Sequence, residues 1–156
     1  MIRALILSLA LLATPGFAED DHHVVEAQGI RAVHAWANAT TGSSALVFVE
    51  IANISETTVI LLGTETGMAA SAELVGLENK GGELTYTPIP TMPVAPGSEL
   101  VLSPNGLAIR LSGLTGPLLE GEEFEIEFEF EQTRLHAHVG IESSTATQHR
   151  HSGHHH

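Results

Sequence analysis

Residues 122–131 read EEFEIEFEFE, and this alternation of glutamate with large apolar residues decides the fold class. Successive side chains of a β-strand point to opposite faces, so a period of two predicts a strand with one buried and one solvated face. The glutamates are expected on the solvated face. The apolar positions are expected together in one core, and they are Phe124, Ile126, Phe128 and Phe130.

Short strand patterns recur on both sides of this stretch. After a turn near residues 132–133, the alternation continues over residues 135–141. Upstream, apolar runs of strand length are separated by turn signals such as Ser103-Pro104-Asn105-Gly106. Regularly spaced short strands without a convincing helix predict an all-β domain, an antiparallel sandwich or a barrel. The upstream strands are predicted at residues 45–52, 58–62, 98–102 and 107–111.

The first 18 residues have the layout of a secretory signal peptide. Arg3 supplies a positive charge, residues 4–13 form an apolar run, and Pro15-Gly16-Phe17-Ala18 provides a helix break and a small residue for cleavage. The apolar run is too short to span a bilayer, and no second run approaches the roughly 18 residues that a span needs. We therefore expect an exported, soluble mature protein without a membrane span.

The remaining chain is expected to form one domain between two tails. Residues 30–142 carry the strand patterns, so they are assigned to the β-sandwich domain. Residues 19–29 form an acidic, histidine-containing N-terminal segment, and residues 143–156 form a histidine-rich C-terminal segment. Both lack apolar periodicity, which is typical of mobile tails.

Composition excludes several classes of function. The chain has no cysteine, which rules out disulfides and thiolate chemistry and suits a bacterial periplasm. Its formal net charge of −13 opposes binding to nucleic acid and favours cations. No Ser-His-Asp arrangement or glycine-rich phosphate loop is present, so we do not expect an enzyme. The 10 histidines are the compositional peculiarity.

Several landmarks along the chain belong together. They are the opening strand IRAVHAWA at 30–37, a strand that ends in Asn53, AEL at 72–74, PNGL at 104–107, LSGL at 111–114 and the strand from Gly121 to Phe130. In this order they resemble the periplasmic PCuAC copper chaperones over roughly residues 30–141. The resemblance implies a cupredoxin-like Greek-key β-sandwich that carries Cu(I) in the periplasm towards the copper centre of cytochrome oxidase.

The copper motif of that family is a His, ten residues, a Met, twenty-one residues and then His-x-Met. With these spacings kept, the resemblance places the motif on Val75, Tyr86, Ala108 and Arg110. Cu(I) is soft and prefers thioether sulfur and imidazole nitrogen, which none of the four residues offers. Arg110 would even place a permanent positive charge beside the ion. We therefore predict that the four residues cluster in space but bind no copper.

Two histidines in the last strand form a candidate replacement site. His136 and His138 share one face because they are two residues apart, and with the turn near residues 132–133 their outward neighbours would be Glu127 and Glu129. His34 would add a third imidazole if its strand runs alongside. Imidazoles beside carboxylates can hold a divalent ion, but they can equally pair on a solvated sheet face.

The two tails contain further candidate metal ligands. His22 and His23 stand next to acidic residues, and His149 and His151 begin a histidine-rich tract that ends with the chain. Short tracts of this kind bind Cu(II), Zn(II) or Ni(II) with little selectivity, or are simply solvated. The methionines of the mature chain, Met68 and Met92, have no histidine nearby in sequence and are expected to serve in packing.

Three hypotheses of function follow. The leading one is a periplasmic copper-binding protein or copper chaperone that uses histidines outside the usual site and passes copper to a periplasmic or membrane copper protein. The second is an assembly or interaction module that keeps the fold without copper. The third is a nonspecific metal buffer that uses only its histidine-rich tails.

Overall fold

The computed structural model describes residues 24–149, and within this range the protein is built of strands alone. No helix occurs there, so none of the described segments is a helix long and apolar enough to cross a membrane. The strands are β1 (Val24–Ala27), β2 (Ile30–Asn38), β3 (Ser44–Asn53), β4 (Val59–Glu65), β5 (Ala69–Lys80), β6 (Glu83–Pro88), β7 (Met92–Val94), β8 (Glu99–Leu102), β9 (Leu107–Leu114), β10 (Glu123–Phe130) and β11 (Arg134–Glu142).

The strands form one continuous sheet in the order β6-β5-β9-β8-β3-β2-β11-β10-β4-β7, with β1 added beside β2 and a further pairing of β9 with β3. The sheet is mixed and not purely antiparallel as expected, since β11 runs parallel to β2 and β8 runs parallel to β9. Strands β4 and β5 lie towards opposite ends of this order and still contact each other. The sheet therefore curls around its own core.

The alternation in β10 is confirmed as the pattern of a strand with one buried face. Phe124, Ile126, Phe128 and Phe130 are all buried, with Phe128 fully so. They pack in one core with the alternating apolar residues of β11 and with side chains from β2, β3, β4, β5, β8 and β9. The glutamates between them lie on the opposite face, as predicted.

The turn between β10 and β11 is shifted by one residue from its predicted position. Phe130 donates its N–H to the carbonyl of Thr133 at 2.9 Å, so the turn residues are Glu131 and Gln132. Moving a turn by one residue moves the strand pairing by two, which keeps every side chain on its face but changes its partner. Consequently His136 lies opposite Glu127, and His138 lies opposite Glu125.

Part of the segment expected to be an N-terminal tail forms a strand. Val24–Ala27 pairs with β2 through a two-residue turn in which Gln28 and Gly29 both have positive φ, 49° and 75°. A side chain at Gly29 would place its Cβ 2.8 Å from that of Ser55, so only glycine fits there. This strand was not predicted because four residues are too few to show a period of two. Its pairing with β2 makes the segment a strand.

Strands β5, β6 and β7 were also not predicted. Strand β5 begins AASAEL, with small and polar residues that weaken its apolar alternation. It is joined to β6 by Gly81 and Gly82, whose φ angles of 67° and 93° form a tight turn. Cross-strand pairing, and not the local pattern, makes these segments strands.

Residues 143–149, expected in the C-terminal tail, lie against the sheet. We call this segment the C-terminal strap. The side-chain amide of Asn38 donates hydrogen bonds to the carbonyls of Ser143, at 2.9 Å, and Ala146, at 3.0 Å. Ala146 packs on a second, smaller cluster on the face of the sheet that points away from the main core, which we call the outer face.

Candidate metal sites

The four positions of the family copper motif come together on the outer face. Val75 and Ala108 lie opposite each other on β5 and β9, both are fully buried, and Tyr86 packs against them. Arg110 approaches the carbonyl of Tyr86, with its Nη1 3.4 Å from that oxygen. Trp36 and Phe48, with ring centroids 4.8 Å apart, complete this outer cluster.

An ion pair occupies the rim of the outer cluster. Arg110 donates from Nε to Oε1 of Glu73 at 3.1 Å, and a second guanidinium nitrogen contacts the same oxygen. The cluster thus contains a fixed cation with its own carboxylate, together with apolar side chains. It offers neither the thioether nor the imidazole donors that Cu(I) prefers.

His136 and His138 lie on the outer face of β11 among glutamates. His136 Nε2 is 3.2 Å from Oε2 of Glu127, and His138 Nδ1 is 3.6 Å from Oε1 of Glu123. Arg134 also binds Glu127, at 2.7 Å, so that carboxylate already has a permanent cationic partner. These contacts resemble ordinary cross-strand pairing on a solvated sheet face.

Strand β2, which contains His34, does run alongside β11, in parallel register from the pair Trp36–Gly140 onward. Nevertheless, no group of three or more His, Asp or Glu side chains within residues 24–149 is arranged to hold a metal ion. The three-histidine site considered from the sequence is therefore not assembled among these residues.

His34 occupies an irregular point of β2. The strand pairs with β1 up to Val33 and with β11 from Trp36 onward, and its register with β3 shifts over the same interval. His34 has a φ of 54°, a left-handed conformation that non-glycine residues adopt only rarely. This bulge turns the His34 side chain onto the outer face, where it lines a cavity of about 320 Å³.

The C-terminal strap brings His149 to the same cavity. The imidazole rings of His34 and His149 have centroids 5.8 Å apart and planes inclined by 30°. Nδ1 of His149 lies 2.8 Å from Oε1 of Glu142, and these two side chains are only 9% and 14% exposed. The cavity is also lined by Trp36, Glu50 and Ser103.

This histidine pair was not foreseen, although both residues had been singled out. His34 was expected beside His136 and His138, and His149 was expected in a tail. They are 115 positions apart, and no local pattern connects them. Glu142 and Asn38 were not singled out at all. The tract of histidines after residue 148 was the one signal that pointed in this direction.

Other candidates lie elsewhere. Met68 and Met92 pack against the main core, as ordinary packing residues do. His22, His23 and His151 lie outside the described residues, as does the predicted signal peptide at 1–18.

Comparison with known proteins gives both a family and a fold. The family model described as "Putative lipoprotein LpqE-like" matches residues 30–140. The chain is 28% identical over 102 residues to "Putative lipoprotein Lxx21020" of Leifsonia xyli subsp. xyli, a match that covers 65% of this chain and 61% of that relative. The match therefore spans less than two thirds of the relative's length.

Solved structures of similar fold include PCuAC domains. The apo PCuAC domain of PmoF2 superimposes with a TM-score of 0.68 at 17% identity, covering 81% of this chain and 99% of that domain. The copper-bound PCuAC domain of PmoF2 gives 0.66 at 16% identity, covering 78% and 98%. Apo-DR1885 from Deinococcus radiodurans gives 0.52 at 21% identity, covering 94% and 98%. At such identities the likeness concerns the fold, and the predicted all-β PCuAC-type fold is confirmed. The chain belongs to the LpqE-like family and has the fold of a PCuAC domain.

Proposed function

We propose that this protein is an exported copper-binding protein that holds copper through histidines outside the four family motif positions. One observation carries the proposal. Histidines gather on, or against, the outer face of the neighbouring strands β2 and β11, and two of them, His34 and His149, line the same cavity there with ring centroids 5.8 Å apart.

The chemistry of these side chains suits copper. Neutral imidazole is a good ligand for copper and zinc, and an acidic surface concentrates cations near it. Solved relatives in fold include the copper-bound PCuAC domain of PmoF2 and CuI-DR1885, so the scaffold is one on which other proteins carry this metal. Here the ligands would be displaced from the outer cluster to the β2–β11 region.

Export is supported by the leader-like residues 1–18 and by the lipoprotein description of the family and of the relative from Leifsonia xyli. A periplasm is the compartment that best suits a cysteine-free exported chain. The recipient of the metal, under this proposal, is another periplasmic or membrane copper protein.

The test is a copper titration of the chain from Glu19 to its end, with Cu(I) under anaerobic conditions and with Cu(II) in air, against a competing chelator. We expect one ion bound with a dissociation constant below about 1 µM. A second variant carries Asn in place of the histidines at 22, 23, 151 and 154–156. Retained binding in that variant supports the proposal, whereas binding only with the tail histidines would make the protein a nonspecific metal buffer.

A second function is favoured by the outer cluster itself. Where the family ligands would stand, Arg110 pairs with Glu73 and apolar side chains fill the space. A protein that uses the same fold as an assembly or interaction module would need no metal-binding side chains at these positions. The absence of copper binding in the titration would favour this module over the copper-binding protein.

A further inference from the structure

We propose that His34 and His149 are the ligands of the copper ion, that Glu142 orients His149, and that the C-terminal strap assembles this site by lying on the sheet. The inference rests on the proposed function, since it names the site at which that function would operate. It makes the strap part of the site, so that release of copper would accompany release of the strap.

The separation of the two rings suits a shared ion. Metal–nitrogen bonds to imidazole are about 2.0 Å long, so two imidazoles on opposite sides of one ion have ring centroids about 6 Å apart. The centroids of His34 and His149 are 5.8 Å apart. The separation of the rings is therefore compatible with one ion held between them. Cu(I) accepts two nitrogen ligands, and Cu(II) would add oxygen ligands such as water.

Glu142 resembles the outer-shell partner of a metal-binding histidine. Such a histidine commonly presents its second ring nitrogen to a carboxylate, which fixes the tautomer and the ring orientation. Nδ1 of His149 is 2.8 Å from Glu142 Oε1, an ion-pair contact that lacks the alignment of a hydrogen bond, and we assign Nε2 as the ligand atom. Both side chains are largely shielded from water, which strengthens their interaction.

The backbone of His34 is held in an unusual conformation. A left-handed φ at a non-glycine residue persists only where the surrounding structure imposes it, and such positions cluster at functional sites. Here the conformation occurs where β2 changes partner from β1 to β11. It presents the imidazole to the cavity in which His149 lies.

The strap controls whether the site exists. His149 reaches His34 because the amide of Asn38 holds the backbone at Ser143 and Ala146. Ala146 in turn packs on the outer cluster that contains Trp36. A copper ion bound by His34 on the sheet and His149 on the strap would add a further link between them. Copper binding and strap docking must then favour each other.

His136 and His138 are weaker candidates for this role. Each faces a carboxylate on β10, at 3.2 Å from Glu127 and 3.6 Å from Glu123, and Arg134 competes for the first of these. They nevertheless lie on the adjacent part of the same face. Replacing both removes two imidazoles from the same face and leaves His34 and His149 in place. This double variant is therefore the matched control.

The experiment uses the full chain from Glu19 and copper ions alone. Trp36 is the single tryptophan of the protein and lines the same cavity, so Cu(II) bound there should quench its fluorescence. We compare His34→Ala, His149→Ala and the double variant His136→Ala with His138→Ala. We expect each single variant to weaken binding about tenfold or more and to lose the quenching, while the double variant stays within about twofold.

Glu142 and Asn38 are tested by variants that separate positioning from folding. Glu142→Ala should weaken copper binding about tenfold. Glu142→Gln, which keeps the length of the side chain and an oxygen beside Nδ1, should recover part of that loss at the same melting temperature. Asn38→Ala, which frees the strap, should weaken copper binding, and copper should raise the melting temperature of the native chain more than that of this variant.

The outcomes distinguish two failures. If the native chain binds no copper, the proposed function is wrong. Alternatively, the native chain binds copper with an affinity and a Trp36 quenching that neither His34→Ala nor His149→Ala changes. That result overturns this inference and leaves the proposed function standing. His149→Ala lies on the strap outside the strands, so a loss of binding in that variant is not attributable to unfolding, and a cooperative melt checks this.

Discussion

Arg110 and Glu73 form an ion pair across β9 and β5 at the place where the four family motif positions converge. The Nε–Oε1 distance is 3.1 Å, and Arg110 also reaches the carbonyl of Tyr86. The pair is partly exposed, so its contribution to stability is about 1 kcal/mol or less. The ion pair matters more for metal binding than for stability. Arg110 cannot lose its proton, so a positive charge always stands at a position where a metal ion would bind.

Restoring the family ligands should therefore create a Cu(I) site. The quadruple variant V75H, Y86M, A108H and R110M places imidazole and thioether donors at positions that are already close together. We expect Cu(I) binding that survives His34→Ala, measured by anaerobic competition. The triple variant that retains Arg110 is the control and should bind at least about tenfold more weakly, since it keeps a fixed positive charge. Equal affinity of the two variants would contradict this reasoning.

The same substitutions should reduce stability. Val75 and Ala108 are fully buried, so larger polar side chains there overpack the outer cluster at a cost of about 1–3 kcal/mol. Thermal unfolding of the quadruple variant, before any copper is added, checks that it remains folded.

Asn53 is expected to be important for stability. It is 1% exposed, and its amide donates to the carbonyls of Thr57, at 2.7 Å, and Val94, at 2.8 Å, while its oxygen accepts from Ser55. Asn53→Ala leaves these groups without partners and should lower the free energy of unfolding by about 2–4 kcal/mol. Ser55→Ala removes one half-buried hydroxyl that donates within the same network, and because the backbone N–H of Ser55 still donates to Asn53, it should cost about 1 kcal/mol or less. Urea denaturation measures both, and equal effects would count against this role of Asn53.

The left-handed backbone of His34 predicts an inverted order of two variants. Glycine accepts a φ of 54° readily and alanine does not, so His34→Gly should be more stable than His34→Ala by about 1 kcal/mol. His136 lies in a regular part of β11, so there the order should reverse, with His136→Ala the more stable by about 0.5–1 kcal/mol. The four melting curves are the measurement. The same order at both positions would show that His34 is not held in this conformation in solution.

Copper affinity should fall as pH falls. Histidine binds metal as neutral imidazole, and protons compete for the same nitrogen. Lowering the pH from about 7.5 to about 5.5, a range that brackets the reference pKa of imidazole of about 6.5, should therefore weaken binding, and two imidazole ligands should give a steeper dependence than one. Chelator competition at several pH values, corrected for the chelator's own titration, gives this slope. A flat profile would indicate thioether ligands and point to Met68 or Met92.

Several features follow from the amino-acid sequence alone because they depend on local order. The period of two in residues 122–131 and 135–141 determined which side chains of β10 and β11 are buried, since adjacent residues of a strand must point to opposite faces. The residue types at Val75, Tyr86, Ala108 and Arg110 determined that no soft donor stands at these positions. No arrangement of the chain could change that.

Tertiary structure decided which distant residues meet. Strands β1, β5 and β6 owe their existence to pairing with neighbours, because their own patterns are short or dominated by small and polar residues. The turn between β10 and β11 falls one residue from its predicted place, which changed the glutamate opposite His136. The bulge at His34 and the strap held by Asn38 depend on contacts between the two ends of the chain. The proximity of His34 and His149 is therefore a property of the folded protein. Contacts between residues far apart in sequence produce no periodic pattern in the sequence, so local analysis cannot predict them.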